Sequence, residues 1–393
     1  MHRRLLLLAG CALVAALAGG PAASIAAASG PACIVFHTRT PQGYTTNLQD
    51  AVNAARPGDT LIVLGNCTGD TTIPVNLTVI GQPSWLGASP TLNGGNSASI
   101  PGTVVTIDKG ATVSLSGLTI TGGYGSSGGG VDNQGSVTLD SCDVTHNATS
   151  AAPGAAGGGI YNSGALSLEH STLSANTSLF GGGIVNFGTL SVEQSTIGGN
   201  VSLSGNTAIG GGGLYNDATA TISNSTVSQN RATSTGGGIF NEASLTLENT
   251  TVANNSAGLS GGGIYNNGAT TLNGVTVSAN TAGGNGGGIY SGETFATGTF
   301  SVALRLAGST LVGNTAGGYG GGIYAAATND AASGGAIAVT VNLWFSTVVA
   351  NSASIDGGGI YGTESANTGA VAVSFDLDFS NISHNAPDNV VNP

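Results

Sequence analysis

The stretch from residue 236 to residue 255 decides the fold. It reads Gly236-Gly237-Gly238-Ile239-Phe240-Asn241, then Ser244-Leu245-Thr246-Leu247-Glu248-Asn249, then Thr250-Thr251-Val252-Ala253-Asn254-Asn255. Leu245 to Glu248 and Thr251 to Ala253 alternate with a period of two, which sends successive side chains to opposite faces of a strand. Apolar recurrence at three and four residues is missing. A glycine inside a helix would cost about 1 kcal/mol relative to alanine, so the unit is strand and corner.

The unit repeats. A triple glycine followed by an aliphatic residue occurs nine times, ending at Val131, Ile160, Ile184, Leu214, Ile239, Ile264, Ile289, Ile323 and Ile360. A second element, aliphatic-x-x-Asn, ends at Asn147, Asn176, Asn200, Asn230, Asn255, Asn280, Asn314, Asn351 and Asn385. The base period is about 25 residues, within the range of stacked repeat architectures, and the last three turns carry insertions of roughly nine, twelve and nine. Three short strands per turn, repeated, predict an all-β parallel coil whose turns stack. One turn cannot bury its inward side chains alone, and stacking both buries them and pairs the strand edges. The glycines suit corners, and the asparagines suit amide ladders running from turn to turn. A second asparagine series (Asn162, Asn186, Asn216, Asn241, Asn266) predicts another ladder.

Composition agrees and excludes alternatives. Glycine supplies 68 of 393 residues without a G-x-y period, so collagen is excluded. Charged residues make up 7% and apolar residues 40%, the reverse of a disordered chain. Residues 1–28 read as a secretory signal peptide: a basic start, an apolar run from Leu5 to Ala18, then small residues. Cys11 follows a short lipoprotein-like box, which raises acylation as an alternative. Beyond residue 28 the chain has 5 basic and 19 acidic residues, which argues against nucleic acid and anionic membrane as partners. No later segment has the length of a membrane-spanning helix.

Residues 29–112 read as an N-terminal cap with irregular first turns, and residues 113–393 as the regular coil. Asn47 suits a helix N-cap, with Leu48, Ala51, Val52 and Ala55 on one apolar face. Such an amphipathic helix would shield the end of the stack. In an exported protein Cys33 and Cys67, both in this block, are the better disulfide pair. Cys142 occupies a position that later repeats fill with Ser or Thr, so it reads as a small buried residue.

The glycine-triple and asparagine repeats resemble those of secreted bacterial right-handed parallel β-helix proteins of the pectin-lyase-like superfamily. They are also similar to the repeats of chlamydial polymorphic outer-membrane proteins, although Leu173, Ile197 and Val227 stand where those proteins have Phe. The resemblance spans residues 45–385 and implies a right-handed coil. It implies no single activity.

Aligning turns on the asparagines yields outward columns. One runs Thr138, Ser167, Ser191, Thr221, Thr246, Thr271, Arg305, Asn342, Asp376, and its neighbour runs Asp140, Glu169, Glu193, Ser223, Glu248, Asn273, Ala307, Trp344, Asp378. Asp140, Glu169 and Glu193 are successive carboxylates that can offer oxygen ligands to calcium, the one cofactor candidate. The alternative is a solvated acidic face, because repulsion in water at this spacing is only about 1 kcal/mol. Arg305, Asn342, Trp344, Asp376 and Asp378 form the candidate binding cluster, beside the inserted turns. An exposed Trp among polar groups suits sugar stacking, and packing over the inserted loop is the alternative.

Enzyme chemistry has thinner support. Asp376 and Asp378 form a D-x-D pair, and His37, His146, His170 and His384 lack metal-ligand spacing. Thr172, Thr196, Thr226, Thr251, Thr276, Thr310 and Thr347 form a third column, whose regularity raises ice binding as a minor alternative. The expected function is a secreted or cell-surface scaffold without catalytic activity that contacts glycan or a matrix protein. The alternative is a polysaccharide lyase or glycoside hydrolase centred on Arg305, Asp376 and Asp378.

Overall fold

In that stretch and just beyond it the chain folds into four strands, not three: Ile239–Asn241, Ser244–Glu248, Thr251–Ala253 and Ser256–Ala257. The fourth is too short to show an alternation. Each strand pairs in parallel with its counterpart one turn away, as in Thr246↔Thr271 and Val252↔Val277. The structure, a computed structural model, describes residues 32–391 apart from 40–42, 84–88, 151, 153, 203–209, 294–299, 330–335 and 367–369. The expected leader over residues 1–28, with Cys11, lies outside the described residues. Four sheets result: a 14-stranded long-strand sheet, a 12-stranded threonine sheet, a 9-stranded sheet of two-residue strands, and a 12-stranded sheet that follows the glycine corners. This is a parallel β-helix-like repeat architecture. In the threonine sheet, 12 strands at about 4.8 Å place the outer two about 53 Å apart.

Inward residues of successive turns merge into one apolar core running from Cys33 to Val373. The corners around it are built by three devices. At the glycine corner, Gly236 has φ 64°, a left-handed conformation that costs a side-chain-bearing residue about 1–2 kcal/mol. Its neighbours are constrained by space instead. A Cβ on Gly237 would lie 2.3 Å from the Gly262 carbonyl oxygen, and one on Gly238 would lie 2.7 Å from that of Gly263.

At the second corner the asparagine amides are buried and stacked. Asn255 Nδ2 donates to Asn280 Oδ1 at 3.0 Å and to the Val227 carbonyl at 2.9 Å. Its own Oδ1 accepts from the Asn230 backbone N–H and from Asn230 Nδ2, both at 3.0 Å. The pattern runs unbroken from Asn147 to Asn385, where Asn389 Oδ1 takes the last two donors. A second amide ladder links Asn133, Asn162, Asn186, Asn216, Asn241 and Asn266, and ends on Ser291 Oγ.

The third corner carries a hydroxyl ladder. The backbone N–H of Cys142 donates to Ser171 Oγ, that of Ser171 to Ser195 Oγ, and that of Ser195 to Ser225 Oγ, at 3.0–3.1 Å. Ser309, Ser346 and Ser380 continue it further along. Cys142 is the buried terminal member of this column, and burial pushes its thiol up to about 11.

At the N-terminal end the strand Ile34–His37 pairs antiparallel with Tyr44–Thr45 and Asp59–Leu64. The helix Leu48–Ala54 buries Leu48, Ala51 and Val52, and Asn47 Oδ1 accepts from the Gln49 and Asp50 N–H groups. A disulfide joins Cys33 to Cys67. In the last turns the insertions lengthen two sheets at once, as in Ile323–Asn329 and Ile337–Trp344. Ala325, Ala327, Val302, Ile337 and Val339 are buried between them, so these extensions widen the core.

Replacing Asn255 with Ala strands the Asn230 amide donors and the Val227 carbonyl in the interior. The expected loss is about 3 kcal/mol, read as a lower urea midpoint, whereas outward Thr246→Ala leaves the midpoint nearly unchanged. Equal midpoints for the two variants would show that the ladder does not hold the turns.

Candidate functional site

The long-strand sheet brings Arg305, Asn342 and Asp376 into one column, since Thr271 pairs with Arg305, Arg305 with Asn342, and Asn342 with Asp376. Arg305 and Asp376 point outward and are exposed. Two expectations need correction. The last strand of this sheet ends at Asp376, so Asp378 lies in the following turn and does not share a strand face with it. Trp344 is the final residue of its strand, whereas the inserted segment enters at Ile337. The intervening strand separates them by about 23 Å, so Trp344 does not cover the insertion.

Trp344 instead belongs to an aromatic cluster at the serine corner. Trp344, Phe345 and Phe379 are 56%, 57% and 77% exposed. The Trp344 and Phe345 ring centroids lie 4.9 Å apart, edge to face, and Phe345 stacks on Phe379 at 5.0 Å. Phe345 and Phe379 have φ 47° and 53°. Every corner of this column is left-handed, and the earlier turns place Ser141, His170, Gln194, Asn224, Asn249, Gly274 and Gly308 there. The two phenylalanines therefore combine backbone strain with solvent exposure at one spot. Trp344 was legible from register alone; its partners were not, because nothing local marks a corner residue as left-handed.

Asp140, Glu169 and Glu193 align on paired strands. Their carboxylates turn to separate neighbours: Asp140 Oδ1 to the Ser141 hydroxyl and to His170 Nδ1 at 3.3 Å, and Glu169 Oε1 to the Ser167 hydroxyl. Among the described residues no three His, Cys, Asp or Glu side chains are arranged to hold a metal ion. The histidines are dispersed: His37 is buried in the first strand, His146 Nδ1 meets Thr145 Oγ1, and His384 is exposed at a corner. The seven threonines do stack, on three-residue strands, with Gly198, Ala253, Val312 and Val349 interrupting the column beside them.

The largest feature that sequence reasoning passed over is an aromatic ladder outside the main core. On the sheet after the glycine corner, Tyr161, Tyr215, Phe240, Tyr265, Tyr290, Tyr324 and Tyr361 occupy one outward column. Val185 interrupts it, and Phe187 fills the gap by touching both Tyr161 and Tyr215. Adjacent rings along the ladder are 4.4–6.0 Å apart, a geometry worth about 0.5–1.5 kcal/mol per pair beyond burial. The signal was available in the fixed aromatic place after the glycine triple, once that strand was read for its outward side.

This ladder has an electrostatic consequence. Burial first, then the Glu242 carboxylate accepting from its hydroxyl at 2.5 Å, raises Tyr215 well above the ordinary tyrosine range. Burial pushes Tyr324 up to about 12. Both phenols stay protonated in the folded chain after the unfolded chain has begun to lose its protons. Stability from these groups is thus complete below the unfolded value of 10.0 and falls as pH rises through the folded values. We expect a melting temperature that holds up to about pH 9 and falls steeply above about pH 10, with a shallower fall in Tyr215→Phe. A flat profile through pH 11 would contradict the assignment.

Compared with known proteins, the chain matches no family model, no curated protein and no solved structure.

Proposed function

We propose that the protein is a secreted or cell-surface scaffold that contacts glycan through the Trp344, Phe345 and Phe379 cluster, with Arg305, Asn342, Asp376 and Asp378 as polar surroundings. One observation carries the reading. Three exposed aromatic rings touch one another at a corner where other turns hold small or polar residues, and two of them are held in a left-handed backbone. Contiguous exposed apolar surface rimmed by polar groups marks interaction sites. Aromatic rings beside hydroxyl-bonding side chains suit the apolar face and polar rim of a sugar. Binding fits better than turnover, because Asp376 ends its strand and Asp378 lies in the following turn, so the two are not paired on one strand face.

Export is part of the same proposal, supported by the apolar N-terminal segment and the Cys33–Cys67 disulfide, a bond favoured in oxidising compartments. So are the right-handed winding and kinship with secreted β-helix proteins, supported by the Gly-Gly-Gly-aliphatic and asparagine motifs. The helix Leu48–Ala54 is proposed to close the N-terminal end of the core, a role supported by its three buried apolar residues.

Glycan and matrix-protein arrays with the wild-type chain test the reading. Trp344→Ala should cut binding by about 30-fold or more, the loss typical of a central aromatic contact, without changing the melting temperature. Phe379→Asn adopts the residue used at Asn224 and Asn249, so it should weaken binding while stabilising the fold by up to about 1 kcal/mol. Binding unaffected by both substitutions would dismiss this site.

A further inference from the structure

At the C-terminal end of the aromatic ladder the stack branches. Tyr319, which precedes the glycine corner, approaches Tyr361 with ring centroids 4.6 Å apart and planes inclined by 37°. Tyr324 lies 5.7 Å from Tyr361 and parallel to it, and 6.5 Å from Tyr319. All three are half-buried, whereas Tyr265 and Tyr290 deeper in the ladder are buried. We infer that Tyr319 and Tyr361 form a site of oxidative cross-linking, at which a one-electron oxidant of the haem-peroxidase class, using hydrogen peroxide, joins the two rings as dityrosine.

The chemistry asks for two phenols held together and reachable from solvent. Each phenol gives up its hydroxyl hydrogen, one electron and one proton, to leave a phenoxyl radical. The two radicals couple through a carbon ortho to each hydroxyl, and the two displaced ring hydrogens return to the oxygens. One hydrogen peroxide accepts the two electrons and two protons and becomes two waters. Holding both rings in one place makes the coupling step effectively unimolecular, so it outruns encounter between molecules.

Position selects the pair. Tyr265 and Tyr290 are closer, at 4.4 Å, but lie face to face within 4° on paired strands, where register opposes the swing that would bring ring edges together. Tyr324 and Tyr361 share that restraint. Tyr319 lies outside any strand, in a bridge to Asp356 and with its backbone bonded to Asn285 Oδ1 and the Gly286 N–H, and its ring meets that of Tyr361 at an angle and not face to face. Tyr44 is exposed, but its ring contacts Phe36, which has no phenol to couple. Burial and then the Tyr319 phenol raise Tyr361 above the ordinary tyrosine range, so it remains a neutral hydrogen donor at neutral pH. The bond would close the loop between Tyr319 and Tyr361 and tie the last glycine corner to the turn before it, restricting fraying at that end.

The test treats the folded protein with horseradish-type peroxidase and limiting hydrogen peroxide. The expected product is a monomer two hydrogens lighter, with dityrosine fluorescence and a higher urea midpoint. Cleavage after acidic residues at Asp330, Asp356 and Glu364 puts Tyr361 on one peptide and Tyr319 with Tyr324 on another, so a joined peptide places one end at Tyr361 and the single-residue variants assign the other. Tyr319→Phe and Tyr361→Phe, which keep the ring packing, should each abolish it, while Tyr44→Phe and Tyr324→Phe leave it. Failure to form dityrosine, predominant cross-linking between molecules, or a product that survives in Tyr319→Phe would each overturn the proposal.

Discussion

The structure depends on satisfying backbone and amide hydrogen bonds at buried corners. A parallel coil must change direction several times in every repeat, and each corner interrupts the ladder bonding of the strands. A buried amide without a partner costs about 1–3 kcal/mol, and with several such corners per turn the fold would not survive many of them. The asparagine column meets this constraint because one side chain both accepts and donates along the coil axis. Asn255 bonds Asn230 and Val227 on one side and Asn280 on the other. Serine hydroxyls do the same at the next corner, and the glycine triples admit the close backbone approach that a side chain would block. Only when corners are settled can the aliphatic interior close.

This explains which parts of the fold were legible in the sequence. Leu245 and Leu247 announce a strand by alternation, and the asparagine and glycine columns announce corners because the geometry repeats and tolerates few residues. The strand Ser256–Ala257 was invisible because so short a segment cannot display a period. Its place in the stack follows from the Asn255 corner before it and the glycines after it. The aromatic ladder had a clear periodic signal but a misleading local one: Phe240 and Tyr265 read as ordinary strand residues until their outward direction is known.

Candidate functional residues follow a different rule, because they stand where a column changes character. Arg305, Asn342 and Asp376 replace threonines and serines, and register alone brings them together. Trp344 could be assigned an outward direction the same way. Phe345 and Phe379 could not, since a left-handed corner is a property of the backbone that serine, histidine, glutamine and glycine all accommodate in other turns. Asp378 was misplaced for a related reason: extrapolating the column one step too far ignored the end of the last strand.

A stacked architecture also decides where strain can be tolerated. Stability in such proteins is close to a sum of turn and neighbour contributions, so a cost in one turn spreads little beyond the adjoining ones. Exposed, left-handed phenylalanines in the middle of the coil would weaken contacts on both sides. Placed at Phe345 and Phe379 they load the last turns, where Val371, Phe375, Leu377 and Ile382 are only partly buried against the core. The same turns carry the longest strands and the tyrosine cluster on another sheet. Extra pairing and aromatic contact there offset the weakness that the exposed rings introduce, which lets them sit at the least protected part of the core without unwinding it.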